Sequence, residues 1–512
     1  MEIDPKLVAA ARAAFPAAQK TVTLGAPIQG GACQPEPLVN VPLAMLNRHG
    51  LIAGATGTGK TKTLQLMAEQ IATAGTPVFL ADLKGDLSGL GVAGEAGDRV
   101  TTRARETGYE WKPSAFPIEL VSLTGKHGAQ LRATVSSFGP LLLAKVLGLN
   151  ETQASVLAMV FKYCDDRGLL LLDFPDLRAV LQHLTGDGAD DLKDYGGMSK
   201  ASVGVLLREM VELEAQGALA FFGEPEFDLE NDLLQTERDG RGLITVLELS
   251  DVQDKPALFS TFMMWMLARL YATLPEVGDL DQPKLMFFFD EAHLLFNGAS
   301  KAFLDQVQQV IRLVRSKGVG VFFVTQSPKD VPPDVLGQLG HRVQHALRAF
   351  TPDDEKALKA AARTFPKTSF YDVEETLTTL GIGEALITVL GSNGAPTPPF
   401  ATRLIPPASR MGPLTDAELQ PCLATKQVKK YAQAIDRESA RETLQAKAER
   451  AEEHAPADVA AGEASPRGGR AVKEEPSTFE RVLKSPLARS VANQLTRSLM
   501  GALLGPTRRR RY

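Results

Sequence analysis

Up to about Pro407 the chain is built from short, unbroken apolar runs separated by amphipathic stretches. One run ends near Ala53, gives way to a Gly-rich turn and is followed from about Lys60 by a helical pattern; a second, PVFLADLKGD, lies near 77–86. Strand patterns resume at GLITVLELS (242–250), KLMFFFDEAH (284–293), GVGVFFVTQ (318–326) and EALITVLG (384–391). Strands that are apolar on both faces need cover on both faces, so this alternation predicts an α/β protein with parallel strands between two layers of helices.

Other stretches carry a different period. Between about 130 and 235, segments such as LNETQASVLAMVFKYCDD and MSKASVGVLLREMVELEAQ place apolar residues three and four apart, which predicts a helical insertion. The expected organisation is therefore an N-terminal helix followed by a short extended, turn-rich segment (1–45; Pro27, Gly30, Gly31, Pro35 and Pro37), then a core in two parts (46–129 and 236–407) around the insertion (130–235). A helical extension (408–453) follows, and residues 454–476, rich in Ala, Gly, Glu and Pro, predict a disordered linker. In the last segment (477–512) Val491, Leu495, Leu499 and Leu503 recur every four residues beside Arg489, Arg497 and the run Arg508–Arg511. Such a basic amphipathic helix packs on its own subunit, docks on an acidic partner or DNA, or lies on an anionic membrane.

Composition narrows the functional classes. The 512 residues are 44% hydrophobic and 23% charged, as in a folded globular protein. The net charge of −5 is unevenly spread: from Pro456 onward there are 11 basic and 5 acidic residues, whereas the preceding 455 carry 45 basic against 56 acidic. An acidic body excludes coating nucleic acid by charge alone, so any DNA contact is local. Cys33, Cys164 and Cys422 form no CxxC pair, which fits a reducing cytoplasm. The apolar stretch from Ala257 to Ala268 falls short of the ~20 residues a membrane span requires, so no transmembrane segment is expected.

The residues that carry chemistry sit where the strand patterns end. Gly54, Ala55, Thr56, Gly57, Thr58, Gly59, Lys60 and Thr61 satisfy GxxxxGK[ST] between a strand and a helix. Glycines allow the backbone to wrap phosphate oxygens, the helix N-terminus adds its positive end, Lys60 reaches the β- and γ-phosphates and the Thr61 hydroxyl ligates Mg²⁺. Thr63, two residues on, is counted with these as a nucleotide contact. The run Leu285–Phe289 ends in Asp290 and Glu291, a metal-holding carboxylate and one placed to polarise an attacking water; alone, the pair also reads as a helix N-cap. Gln326 ends another apolar run near the expected γ-phosphate position, and Asp82 and Lys84 end a third, either as polar strand termini or in contact with water, Mg²⁺ or a neighbouring subunit. Arg312 and Arg315, one turn apart, are candidates for an arginine finger or for a solvated helix face.

Taken in order, NRHGLIAGATGTGKT, DLKGDLSGL, GDLDQPKLMFFFDEAHLLF, RLVRSKGVGVFFVTQSP and LGHRVQHALRAFTPDD resemble the bacterial HerA-like P-loop ATPases of the YjgR-like group, over roughly 40–450. The resemblance implies a RecA-like P-loop NTPase sheet of the HerA/FtsK type, ATP and Mg²⁺ as cofactors, and hexameric rings with ATP at subunit interfaces. It makes Lys60 and Thr61 the Walker A pair, Asp290 the Walker B carboxylate, Glu291 the catalytic glutamate, Gln326 the sensor and Arg315 the finger offered to a neighbour. The segment before Gly54 is shorter than the β-barrel domain HerA carries there, and the loop SPKDVPPDV has one Lys against two Asp, the wrong sign for a phosphate grip. The resemblance therefore implies ATP hydrolysis more directly than DNA translocation. Two kinds of work remain open, a translocase or helicase-like motor on double-stranded DNA and a nucleotide-switched ring that remodels or gates a protein partner.

Overall fold

A computed structural model describes residues 3–16, 20–297 and 301–453; the expected linker and basic tail lie outside the described residues. Thirteen strands are described: β1 (Thr21–Gln29), β2 (Ala32–Cys33), β3 (Val39–Pro42), β4 (Gly50–Ala53), β5 (Val78–Asp82), β6 (Ile118–Ser122), β7 (Ala129–Gln130), β8 (Ile244–Glu248), β9 (Leu285–Phe289), β10 (Val319–Thr325), β11 (His341–His345), β12 (Glu384–Thr388) and β13 (Phe400–Leu404). They join one sheet in the order β2-β1-β13-β12-β11-β4-β10-β9-β5-β8-β6-β7, with β3 paired to β1. From β11 to β7 every pairing is parallel, and from β11 back to β2 every pairing is antiparallel.

The parallel half follows from strands buried on both faces. Because side chains alternate, Ile52, Leu80, Phe288 and Val324 share one face and pack against Leu64, Met67 and Ile71 of the helix Lys60–Thr73. Leu51, Phe79, Phe287 and Phe323 share the other and pack against Phe262 and Trp265 of the helix Pro256–Thr273. The intervening helices Val135–Val146, Glu151–Arg167, Phe174–Thr185 and Lys200–Ala215 add to that second core. Their starts are set by local chemistry: Asn150 with Gln153, and Asp173 with Asp176, form capping boxes, and Gly168 ends its helix in the left-handed region.

The N-terminal segment differs from expectation. Where the sequence pattern suggests turns between Thr21 and Pro42, the chain forms β1, β2 and β3 and continues the sheet through β13. Pro27 and the neighbouring Pro and Gly residues disguise a strand whose central residues are buried. Gly25 is required there, since a Cβ would stand 2.1 Å from the Arg403 carbonyl oxygen. One further strand carries little apolar signal of its own. β11 is His-Arg-Val-Gln-His, yet it lies beside β4, because His341 and His345 are fully buried with ring hydrogen bonds to the Met45 carbonyl and the Thr63 hydroxyl. β6 is short and joins β8 to β7. Among the described residues no helix is long and apolar enough to cross a membrane.

Candidate functional site

Parallel strands share one carboxyl edge, and here β11, β4, β10, β9 and β5 are consecutive neighbours, so the residues that follow each of them converge. The Gly54–Thr61 loop follows β4, Gln326 follows β10, Asp290 and Glu291 follow β9, and Asp82 and Lys84 end or follow β5. Residues as far apart as Gly54 and Gln326, 272 positions from each other, are thereby gathered at one place by topology.

The loop is tied down at its base and open at its tip. The Gly54 N–H donates to the Thr325 carbonyl at 3.2 Å and the Ala55 N–H to the Ala346 carbonyl at 2.8 Å, fixing it to β10 and to the residue after β11. Gly57 and Gly59 have φ of +76° and +113°, a region that favours glycine. The helix begins at Lys60, so its first N–H groups have no intrahelical partner and point into the loop. The Lys60 ammonium spans the loop, donating to the Gly54 and Ala55 carbonyls at 2.8 and 3.2 Å. Burial lowers the Lys60 pKa and the charges of Glu291 and Asp290 push it back up, the electrostatic mark of a shared site. Thr63 lines a cavity with Gly59 and Lys62, and its hydroxyl is turned to the loop. It is fully buried, and its hydroxyl lies 2.8 Å from His345 Nε2 and 3.2 Å from the Gly59 carbonyl oxygen, so it braces the loop from beneath. His345 stays neutral, its pKa lowered to about 4 by burial and then by Lys60.

The two carboxylates do not cap the helix that follows them. The following helix, His293–Phe296, is a single turn with Ala292 at its N-cap, and neither side chain caps it. Asp290 is 3% exposed; Oδ1 accepts the Glu291 N–H at 3.0 Å, while Oδ2 is buried without a hydrogen-bond partner. Burial, and then the Glu291 charge, pushes the Asp290 carboxyl up to about 7. Glu291 has a φ of +49°, a conformation that side-chain-bearing residues seldom adopt and that clusters at functional sites. Its Oε1 is 2.6 Å from Lys84 Nζ, and its Oε2 is buried without a hydrogen-bond partner. Burial raises the Glu291 pKa, but the Lys84 hydrogen bond and charge outweigh it and hold the carboxyl below its ordinary value. Asp82 serves another purpose: it is fully buried and accepts the backbone N–H groups of Lys84, Gly85 and Leu87 at 3.1, 2.9 and 2.8 Å, which shapes the loop after β5.

The Asp290 Oδ2 atom and the Thr61 hydroxyl are hard oxygen donors of the kind Mg²⁺ takes, and neither has a hydrogen-bond partner among the described residues. No group of three His, Cys, Asp or Glu that could hold a metal is found among the described residues.

Cavities flank the loop on both sides. One of about 530 Å³ is bounded by Ala55, Thr56, His293, Gln326 and Arg348, and Gln326 shares it with the loop residues Ala55 and Thr56. The other, about 270 Å³, is walled by Lys62, Val100, Arg103, Ile382, Gly383 and Leu404, four separate stretches of chain that no local motif announces. A larger cavity of about 720 Å³ runs along the outer side of the helix Lys60–Thr73, where Glu69 is already committed to the Ala408 and Ser409 N–H groups.

Arg312 and Arg315 lie elsewhere. With Arg48, which sequence reasoning missed, they line a cavity of about 500 Å³ that also includes His49 and Gly340. These residues precede β4, β10 and β11, so the arginine cavity is at the opposite end of the parallel strands from the loop. Among the described residues no carboxylate forms an ion pair with any of the three. Burial, and then the charge of Arg48, lowers the Arg315 pKa, with the charge of Asp279 working against them.

A doubly wound parallel sheet with a phosphate-binding loop after one strand and a buried carboxylate pair after another defines a RecA-like P-loop NTPase core. Residues 30–511 match the family described as helicase HerA-like C-terminal, and the chain belongs to that family of HerA/FtsK-type P-loop proteins. A probable helicase of Methanocaldococcus jannaschii is 27% identical over 154 residues, covering 28% of this chain and 28% of that protein. The probable DNA double-strand break repair helicase HerA of the same organism is 32% identical over 105 residues, covering 20% of each. The matches thus span under a third of these relatives. In fold the chain is similar to the bacterial conjugative coupling protein TrwB lacking its first 70 residues, with a TM-score of 0.50 and 16% identity over 80% of this chain and 93% of that one.

Proposed function

We propose that this chain hydrolyses ATP with Mg²⁺ and acts in an oligomeric ring, as a motor on double-stranded DNA. The observation that carries the hydrolytic reading is the convergence at one sheet edge of the Gly54–Thr61 loop with Asp290 and Glu291, each carboxylate retaining a buried oxygen without a hydrogen-bond partner. In this reading the loop N–H groups and Lys60 bind the phosphates, and the Lys60 ammonium exchanges two carbonyl partners for phosphate oxygens. Thr61 and Asp290 would hold Mg²⁺, which when bound would supply charge neutralisation for the phosphates. Glu291 accepts the proton of the attacking water through its free oxygen, with Gln326 at the γ-phosphate. The 270 Å³ cavity beside Gly59 and Lys62 takes the base and ribose between apolar walls.

Placement of the arginines supports a head-to-tail assembly. A cluster of unpaired guanidiniums beyond the reach of its own phosphates can serve the next subunit's site, and the HerA/FtsK type suggests six subunits. The free cysteines and the lack of a membrane-spanning helix among the described residues fit a cytoplasmic protein. The DNA reading leans on the family and on the HerA relative. Its test is the hydrolysis rate with and without double-stranded DNA over a salt series. Stimulation that falls steeply with salt supports a DNA motor; an unchanged rate at every salt concentration refutes it and turns the search to a protein partner.

A further inference from the structure

The Lys84–Glu291 contact joins residues 207 positions apart in sequence. It is prepared from both sides. β5 and β9 are parallel neighbours with Ala81 opposite Phe289, so the loops that follow them leave the sheet edge side by side. The loop after β5 is held by the Asp82 carboxylate through three backbone N–H groups, turns at Gly85 with φ +72°, and has its Leu83 carbonyl fixed by the Gln253 amide at 2.7 Å. That leaves Lys84 as the side chain presented toward β9. Glu291 leaves β9 in the left-handed conformation, and its side chain is 6% exposed, against 49% for Lys84.

A carboxylate can turn freely about its last bond, where the rotamer wells are broad. Lys84 removes that freedom by holding Oε1 at 2.6 Å. His293 Nδ1 lies 3.4 Å from Oε2 without forming a hydrogen bond, so Oε2 keeps no hydrogen-bond partner. One oxygen is anchored and the other is left to accept. We infer that Lys84 is a positioning residue for Glu291, fixing the carboxylate so that Oε2 faces the water that attacks the γ-phosphate. This rests on the ATPase reading above and adds to it a residue that touches neither nucleotide nor metal.

Partners of this kind typically change activity 10–100-fold when removed. Lys84→Met should therefore lower kcat by about that factor while leaving KM and the Kd for a fluorescent ATP analogue unchanged, and Lys84→Arg, which keeps a cation at the loop tip, should restore most of the loss. The two variants are compared once their melting temperatures match that of the wild type, with the wild type and Glu291→Gln run beside them. A loss confined to kcat with rescue by Arg supports the inference, since a merely structural role would not yield that pair of results. Turnover of Lys84→Met within about twofold of wild type, a faster rate, or a loss carried by KM overturns it. If the wild type does not hydrolyse ATP, or Glu291→Gln turns over normally, it is the ATPase reading that fails instead.

Discussion

Arg315→Ala should cut turnover by about 10³, roughly 4 kcal/mol of barrier, and leave ATP binding nearly intact. The structure sets the logic of this number. β4 has four residues, with Arg48 just before it and the phosphate-binding loop just after it. At about 3.3 Å per residue the strand alone separates the arginine cavity from the loop by about 13 Å, more than an arginine side chain spans. Arg315 therefore contributes nothing to its own subunit's nucleotide, and its full effect appears across an interface. The assay mixes Arg315→Ala with Lys60→Ala, each inactive alone. In a head-to-tail ring, random equal mixing creates about one interface in four that pairs an intact loop with an intact arginine. Turnover should return toward about that share of wild type. Mixtures no more active than the sum of their parts would refute the interface model, and Arg312→Ala should do less damage than Arg315→Ala.

Other sites give independent checks. Lys60→Ala should abolish ATP binding without unfolding the chain, because the phosphates lose their fixed counter-charge, and a binding titration with a thermal melt reads both. Glu248 is 7% exposed, and burial, followed by the charges of Asp82, Asp86 and Asp251, pushes its carboxyl from the ordinary 4.5 up to about 8. The folded chain thus keeps a proton that the unfolded chain has released, and stability falls as pH rises across that window. Glu248→Gln should raise Tm at pH 8.5 and do little at pH 4.5; an equal shift at both values would show that Glu248 does not titrate this way. Gly25→Ala should lower Tm markedly, since overpacking costs about 1–3 kcal/mol and here the clash is with the Arg403 backbone.

The sheet was legible in proportion to how apolar its strands are. Leu285–Phe289 and Val319–Thr325 read as buried parallel strands because nothing polar interrupts them, and the residues that end them read as chemistry because carboxylates and amides are out of place beside such runs. β11 escaped notice because its burial rests on two histidines whose partners, Met45 and Thr63, are remote in sequence. β1 and β13 escaped because each is stabilised by the other. Within the site, Gly54–Thr61 and Asp290–Glu291 were visible as contiguous motifs. The bracing role of the Thr63 hydroxyl depends on His345, 282 positions away, Arg48 lies within NRHGLIAGATGTGKT but outside its GxxxxGK[ST] pattern, and the cavity beside Gly59 is assembled from four separate stretches. Spacing reports what a local segment must do, whereas these features depend on which strands the fold makes neighbours.

The central claim is that Glu291 activates water for ATP hydrolysis at the Gly54–Thr61 loop. Its most direct measurement is steady-state turnover of the purified chain with ATP and Mg²⁺, wild type against Glu291→Gln, with nucleotide binding measured on the same samples. The amide keeps the shape of the side chain but cannot take the proton, so binding should persist while turnover falls by at least about 10². Turnover of Glu291→Gln within about threefold of wild type, less than 1 kcal/mol of barrier, would contradict the account.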